Sequence, residues 1–190
     1  PLSLHDALPI SGHGFPDVTK TPVPRFDLIN PRHYATMSIQ FSRGCPFDCE
    51  FCDIIVMNGR KPRTKTPEQM IAELDALDAT GWHGTVFFVD DNFIGNKKLV
   101  KAFLRALIAW RDRRRPQVDF ITEASVNLAD DAELLELMVQ AGFRRVFLGI
   151  ETPVPESLQE CQKYQNTHGS LEEKIRASQR SGLEVMGGFI

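Results

Sequence analysis

Three times the chain repeats one order of events: a helical stretch, a glycine, then a short apolar run. Gly81 precedes Thr85-Val86-Phe87-Phe88-Val89 and the acids Asp90 and Asp91; Gly142 precedes Val146-Phe147-Leu148-Gly149-Ile150 and Glu151; Gly182 precedes Leu183-Glu184-Val185-Met186. A glycine just past a helix takes the left-handed conformation that stops it, and an apolar run too short for a helix reads as a strand buried on both faces. Thr66-Pro67-Glu68-Gln69 carries the cap, the proline and the glutamine that open a helix, with Met70, Ile71, Leu74 and Leu77 as its buried stripe. Further helices are expected from Lys97 to about Arg113, from Asp131 to Ala141 behind Asp130 as cap, and from about Leu171 to Ser181.

Two more strands complete the alternation. Val118 to Thr122 is entered through Pro116 and ends at Glu123-Ala124-Ser125, while Met37, Ile39 and Phe41 alternate with Ser38, Gln40 and Ser42 and end at Arg43-Gly44. Strands alternating with helices predict an α/β fold with a parallel sheet. A barrel is favoured over an open doubly wound sheet because polar residues recur at successive strand ends: cysteines after the first, Asp90 and Asp91 after the second, Glu123 and Ser125 after the third, Glu151 after the fourth. A barrel gathers such ends around one mouth. The open-sheet alternative calls for a glycine-rich phosphate turn after its first strand, and Gly44-Cys45-Pro46 is not one. The expectation is a partial TIM-type (β/α) barrel over residues 36–190, truncated in about its fifth strand at Gly187-Gly188-Phe189-Ile190, with an unpaired strand edge.

Ahead of that domain, residues 14–35 carry Pro16, Pro22, Pro24 and Pro31 with few apolar anchors, which reads as an extended linker. Residues 1–13 have no period, and Ser3 to Ile10 resembles translated sequencing adapter, so they are expected to be a non-native or disordered leader.

Three of the four cysteines sit together as Cys45-x3-Cys49-x2-Cys52. A loop this tight can turn three thiolates toward one iron-sulfur cluster and leave its fourth iron without a ligand from the motif. Two alternatives need a fourth protein donor: a zinc site recruiting Cys161, His83 or His168, and a non-catalytic cluster, an electron carrier or redox sensor, closed by Cys161. The basic loop Met57 to Lys65 reads either as neutralising such a group or a cofactor carboxylate, or as a solvated connection. Arg111, Arg113, Arg114 and Arg115 end a helix, where cations favour the macrodipole, and read as a solvated helix terminus.

A chain of 190 residues with 42% hydrophobic and 25% charged side chains can bury one sizeable core. Its net charge of -3 gives no electrostatic reason to expect nucleic acid, no run approaches a transmembrane span, and clustered rather than paired cysteines point to reduced thiols and a cytoplasmic setting.

The cysteine motif, with Phe51 immediately before its last member and a strand before its first, resembles the cluster motif of the radical S-adenosylmethionine (radical SAM) superfamily. That resemblance implies Cys45, Cys49 and Cys52 as ligands of a 4Fe-4S cluster, with S-adenosylmethionine chelating the open iron and cleaved reductively to a deoxyadenosyl radical. It places Phe51 near the adenine, Asp90 and Asp91 where the methionine amino group is contacted, and Glu123, Ser125 and Glu151 among the cofactor contacts. Gly188-Phe189-Ile190 looks like the start of an adenine-contacting segment. It also implies an electron donor such as flavodoxin or ferredoxin. More narrowly, Phe41 to Cys49, Phe88 to Phe93, Thr122 to Ser125 and Gly149 to Pro153 look like radical enzymes that carry a cobalamin-binding domain, the group containing the hopanoid methylases. For a longer parent this implies cobalamin-dependent methylation of a small-molecule or lipid substrate.

Overall fold

The computed structural model describes residues 14–190, and the expected leader, residues 1–13, lies outside them. Five strands form one parallel sheet: β1 (Thr36–Ile39), β4 (Gly84–Phe88), β5 (Val118–Ala124), β6 (Phe143–Glu151) and β7 (Glu184–Phe189), neighbours in that order. Two short strands, β2 (Ser42–Arg43) and β3 (Arg63–Thr64), pair antiparallel beside it. The helices are α1 (Ile54–Asn58), α2 (Pro67–Asp78), α3 (Lys97–Arg114), α4 (Ala132–Gln140), α5 (Pro155–Glu160) and α6 (Leu171–Arg180). The sheet is parallel and alternates with helices as expected, and its five strands match part of a barrel.

The two faces of the sheet differ. Val86, Phe88, Phe120, Thr122, Val146 and Leu148 are fully buried, and the apolar ones share one core with Phe103, Leu104 and Leu107 of α3 and Leu134 and Met138 of α4. Phe88 meets the rings of Phe93, Phe103, Phe120 and Phe143 at centroid distances from 5.2 to 5.8 Å. A phenylalanine this enclosed is worth about 3–5 kcal/mol against alanine. The alternate residues Phe87, Ile121, Glu123 and Phe147 point the other way and are only half-buried. Period-two alternation therefore separates a closed core from a half-open concave face.

Local signals were accurate at α2, where Thr66 and Gln69 form a reciprocal capping box. They were one residue off at α4. A 3₁₀ turn over Val126–Asp130 follows β5, so the cap is Asp131, which accepts the N–H of Leu134, and Asp130 pairs with Lys174 instead at 3.0 Å. Arg111 is not a solvated helix end: its guanidinium lies 5.5 Å from the Phe120 ring centroid and donates to the Val118 carbonyl.

Residues 14–35 are not an extended linker. They form a strap with three 3₁₀ turns whose Val18 and Phe26 are buried. Gln69 donates to the Thr19 carbonyl at 2.8 Å, and the Arg63 guanidinium lies 5.0 Å from the Phe15 ring centroid while donating to the Pro16 carbonyl. Two buried side chains were too few to stand out among the prolines.

Candidate functional site

The cysteine loop is built outward from the end of β1. The N–H of Phe41 donates to Asp90 Oδ2 at 3.0 Å, and both the N–H and the hydroxyl of Ser42 donate to Asp90 Oδ1. Asp90 is 1% exposed, and burial pushes its carboxyl up to about 7 against the pull of these three donors. Its two oxygens thus tie the end of β4 to the chain entering the loop. Asp91 makes the next tie: Oδ2 accepts the Gly44 N–H at 2.7 Å, and Asn58 Nδ2 reaches both oxygens at 3.2 and 3.1 Å. Gly44 has φ of +101°, and a Cβ there would stand 2.7 Å from the Gly59 carbonyl oxygen, so no other residue fits this turn. The Cys45 N–H donates to the same carbonyl at 3.2 Å.

Cys45, Cys49 and Cys52, all free thiols, line one cavity of about 180 Å³ on the half-open face of the sheet. Burial raises the thiol pKa of Cys45 and of Cys49; hydrogen bonds from the Phe47 backbone and then the Asn92 side chain act against it at Cys45, and one from the Gln165 side chain at Cys49. Of the expected site residues, Phe51, Asp91, Glu123, Ser125 and Glu151 line the same cavity. Asp90 does not; its oxygens are taken up by Phe41 and Ser42. Glu123 has its pKa raised by burial and then by the Asp91 charge.

Three lining residues, Asn92, Lys163 and Gln165, escaped the sequence reading. Among the described residues that line the cavity, Lys163 is the one cation. It is 8% exposed, pairs with Glu151 at 2.5 Å, and sits 5.4 Å from the Phe51 ring centroid. Glu151 holds φ of +64°, a conformation costing about 1–2 kcal/mol outside glycine. The absent side chain of Gly149 makes room for this pair: a Cβ there would lie 2.6 Å from Glu151 Oε1 and 2.8 Å from Lys163 Nζ. Asn92 directly follows the acid pair and carried a positional signal. Lys163 and Gln165 lie in a polar loop after α5 whose approach to the cysteines, through the Glu50 N–H to the Cys161 carbonyl at 3.0 Å, exists only in three dimensions.

The basic loop spends its charge locally. Arg60 pairs with Asp48, and Arg63 donates to the Asn58 carbonyl at 2.9 Å. None of the loop's cations lines the cavity. The donor set bears on what the cavity could hold. Among the described residues no three His, Cys, Asp or Glu side chains converge on a single metal ion, and Cys161, His83 and His168 are absent from the cavity wall. Three thiols spread around one wall rather than converging on one point, with neither Cys161 nor a histidine beside them, fit a polynuclear group bound through three thiolates better than a zinc ion.

The sequence profile of the Radical SAM superfamily matches residues 39–190. An uncharacterized methyltransferase of Synechocystis sp. is 57% identical over 175 residues, 92% of this chain and 33% of that protein. The hopanoid C-2 methylase of Rhodopseudomonas palustris is 45% identical over 174 residues, again 92% of this chain and 33% of that protein. The chain thus spans about a third of the length of these relatives. Among solved structures, the radical S-adenosylmethionine methyltransferase TsrM of Kitasatospora setae, with cobalamin and a 4Fe-4S cluster bound, superposes with a TM-score of 0.71 at 20% identity, over 81% of this chain and 30% of that one. The cobalamin-dependent radical enzyme OxsB in its apo form gives 0.74 at 20% identity, over 93% of this chain and 27% of that one. Both structural likenesses are of fold.

Proposed function

The chain belongs to the Radical SAM superfamily, and from that premise we propose that Cys45, Cys49 and Cys52 hold a 4Fe-4S cluster and that the same cavity holds S-adenosylmethionine. When bound, the pair supplies one-electron reductive cleavage of the sulfonium, the electron coming from a low-potential donor of the flavodoxin or ferredoxin kind. The observation that carries the reading is the joint wall: three free thiols, and beside them a buried ammonium, Lys163, paired to Glu151.

This chain's own part is to bind and orient. Lys163 offers a cation to the cofactor's carboxylate, and Glu151 fixes where that ammonium stands. Glu123, Ser125 and Glu151 supply the polar wall for its amino and hydroxyl groups, and Asp91 is the member of the acid pair placed to join them. Phe51, 47% exposed, offers an apolar surface suited to an adenine. Burial of Cys49 and the enclosing loop limit water at the thiols.

The identity to the hopanoid C-2 methylase supports methylation of a small-molecule or lipid substrate by the whole protein, and the likeness to a methyltransferase solved with cobalamin bound and to a cobalamin-dependent radical enzyme supports a cobalamin-dependent route. No helix among the described residues is long and apolar enough to cross a membrane, and thiols kept for iron fit a reducing, cytoplasmic compartment. The test is anaerobic reconstitution with iron and sulfide. The expected result is about four irons and four sulfides per chain, an electron paramagnetic resonance (EPR) spectrum that changes when S-adenosylmethionine is added, and deoxyadenosine or a methylated product once a reductant is present. A reconstituted cluster whose spectrum ignores S-adenosylmethionine would return the site to the electron-carrier reading.

A further inference from the structure

We propose that Asn92 and Gln165 are positioning residues that set the reduction potential of the cluster by donating side-chain N–H groups to two of its three thiolate sulfurs. The proposal rests on the cluster reading above. Asn92 Nδ2 lies 3.8 Å from Cys45 Sγ, and Gln165 Nε2 lies 3.5 Å from Cys49 Sγ. Both amides are buried, at 3% and 7% exposure, and they come from separate parts of the fold, one from the end of β4 and the other from the segment after α5. Cys52 receives no side-chain hydrogen bond among the described residues.

The orientation of Asn92 follows from its neighbours. The N–H of Ser125 can only donate, and it meets Asn92 Oδ1 at 3.3 Å, so the nitrogen must face the other way. An amide nitrogen has two hydrogens; one reaches Ser125 Oγ at 3.1 Å and the second is left for the sulfur. Ser125 is held in turn by its hydroxyl, which donates to Asn127 Oδ1 at 2.6 Å. For Gln165, an iron-bound thiolate has no proton to give, so only the nitrogen end of the amide makes a favourable contact.

Charge on the sulfurs rises when a cluster takes up an electron. Donors aimed at sulfur therefore favour the reduced form more than the oxidised one and raise the potential, while burial of the site works against them. Two buried amides are a built-in correction to a site whose wall is otherwise rich in thiols and carboxylates. Their placement also divides the labour of the acidic segment after β4: Asp90 and Asp91 hold the loop's backbone, and Asn92 addresses the sulfur.

The experiment is an EPR-monitored redox titration of the reconstituted protein, compared with Gln165→Met, which keeps length but removes the donor, and Asn92→Leu, which keeps the branched shape and removes the donor without adding a charge. The expected result for each is an unchanged iron content and a reduced-to-oxidised ratio about tenfold lower at a fixed potential, a shift of about 59 mV to more negative values for a one-electron couple. Full cluster loading with a potential equal to that of the unaltered protein would overturn the proposal and leave the cluster reading intact. Loss of the cluster from both variants would also overturn it, by making the amides part of assembly. A parent protein that forms no 4Fe-4S cluster would sink the underlying reading instead.

Discussion

Asp90 and Asp91 are neighbours with one chemical identity and two fates. Sequence position marked both as strand-end acids facing a site, and only the three-dimensional path of Phe41 and Ser42 turns Asp90 into a buried tie. Its carboxyl, pushed up to about 7 by burial, titrates near 3.9 in an unfolded chain. Between those values the folded chain keeps a proton that the unfolded chain has released, so stability falls as pH rises from about 4 to about 7, by up to about 1.4 kcal/mol per unit, and then levels off. Urea unfolding at pH 5 and pH 7.5 should show a lower midpoint at the higher pH, and Asp90→Asn should flatten the difference; a slope that survives the substitution would assign it elsewhere. Lys163 makes the opposite case, invisible in sequence and central in space. Replacing it with methionine is expected to leave cluster iron unchanged and weaken S-adenosylmethionine binding at least about tenfold, read from the concentration at which the cofactor alters the EPR spectrum.

Elements were legible where the signal was local. The capping box of α2, the glycine stops and the apolar strands all depend on residues within a few positions of one another, and they appear where expected. The strap over residues 14–35 depends on partners some 50 residues away, Gln69 and Arg63 among them, and composition alone made it a linker. Its contacts continue inward. Arg63 holds the Asn58 carbonyl, Asn58 holds Asp91, and Asp91 holds the Gly44 amide at the entrance to the cysteine loop. Arg63→Met should therefore speed hydrogen exchange at the Gly44 amide by roughly tenfold while leaving amides in α3 at their original rates, as expected for a local opening. Equal acceleration at both would mean that the substitution destabilises the chain as a whole.

At the scale of the molecule, the parallel sheet and its rim of cysteines and acids followed from periodicity, whereas the far wall of the cavity, Lys163 and Gln165, came only with the fold. The sheet leaves β7 with one neighbour, and Phe189 and Ile190 at its end are 66% and 84% exposed beside a groove of about 560 Å³ that includes Ile150, Leu171 and Ile175. An apolar strand edge of this kind pairs readily with another. These residues prepared alone are expected to associate with rising concentration by light scattering, and a monodisperse preparation that melts cooperatively would contradict this.

The sheet order has a further consequence in time. Its strands lie side by side in the order in which they are synthesised, but Cys49 and the Gln165 amide that reaches it are 116 residues apart. At about 5–20 residues per second that interval is roughly 6–23 s of translation, during which the thiols exist without the wall that later encloses them. A nascent chain is thus a bare three-thiol ligand before it is a pocket.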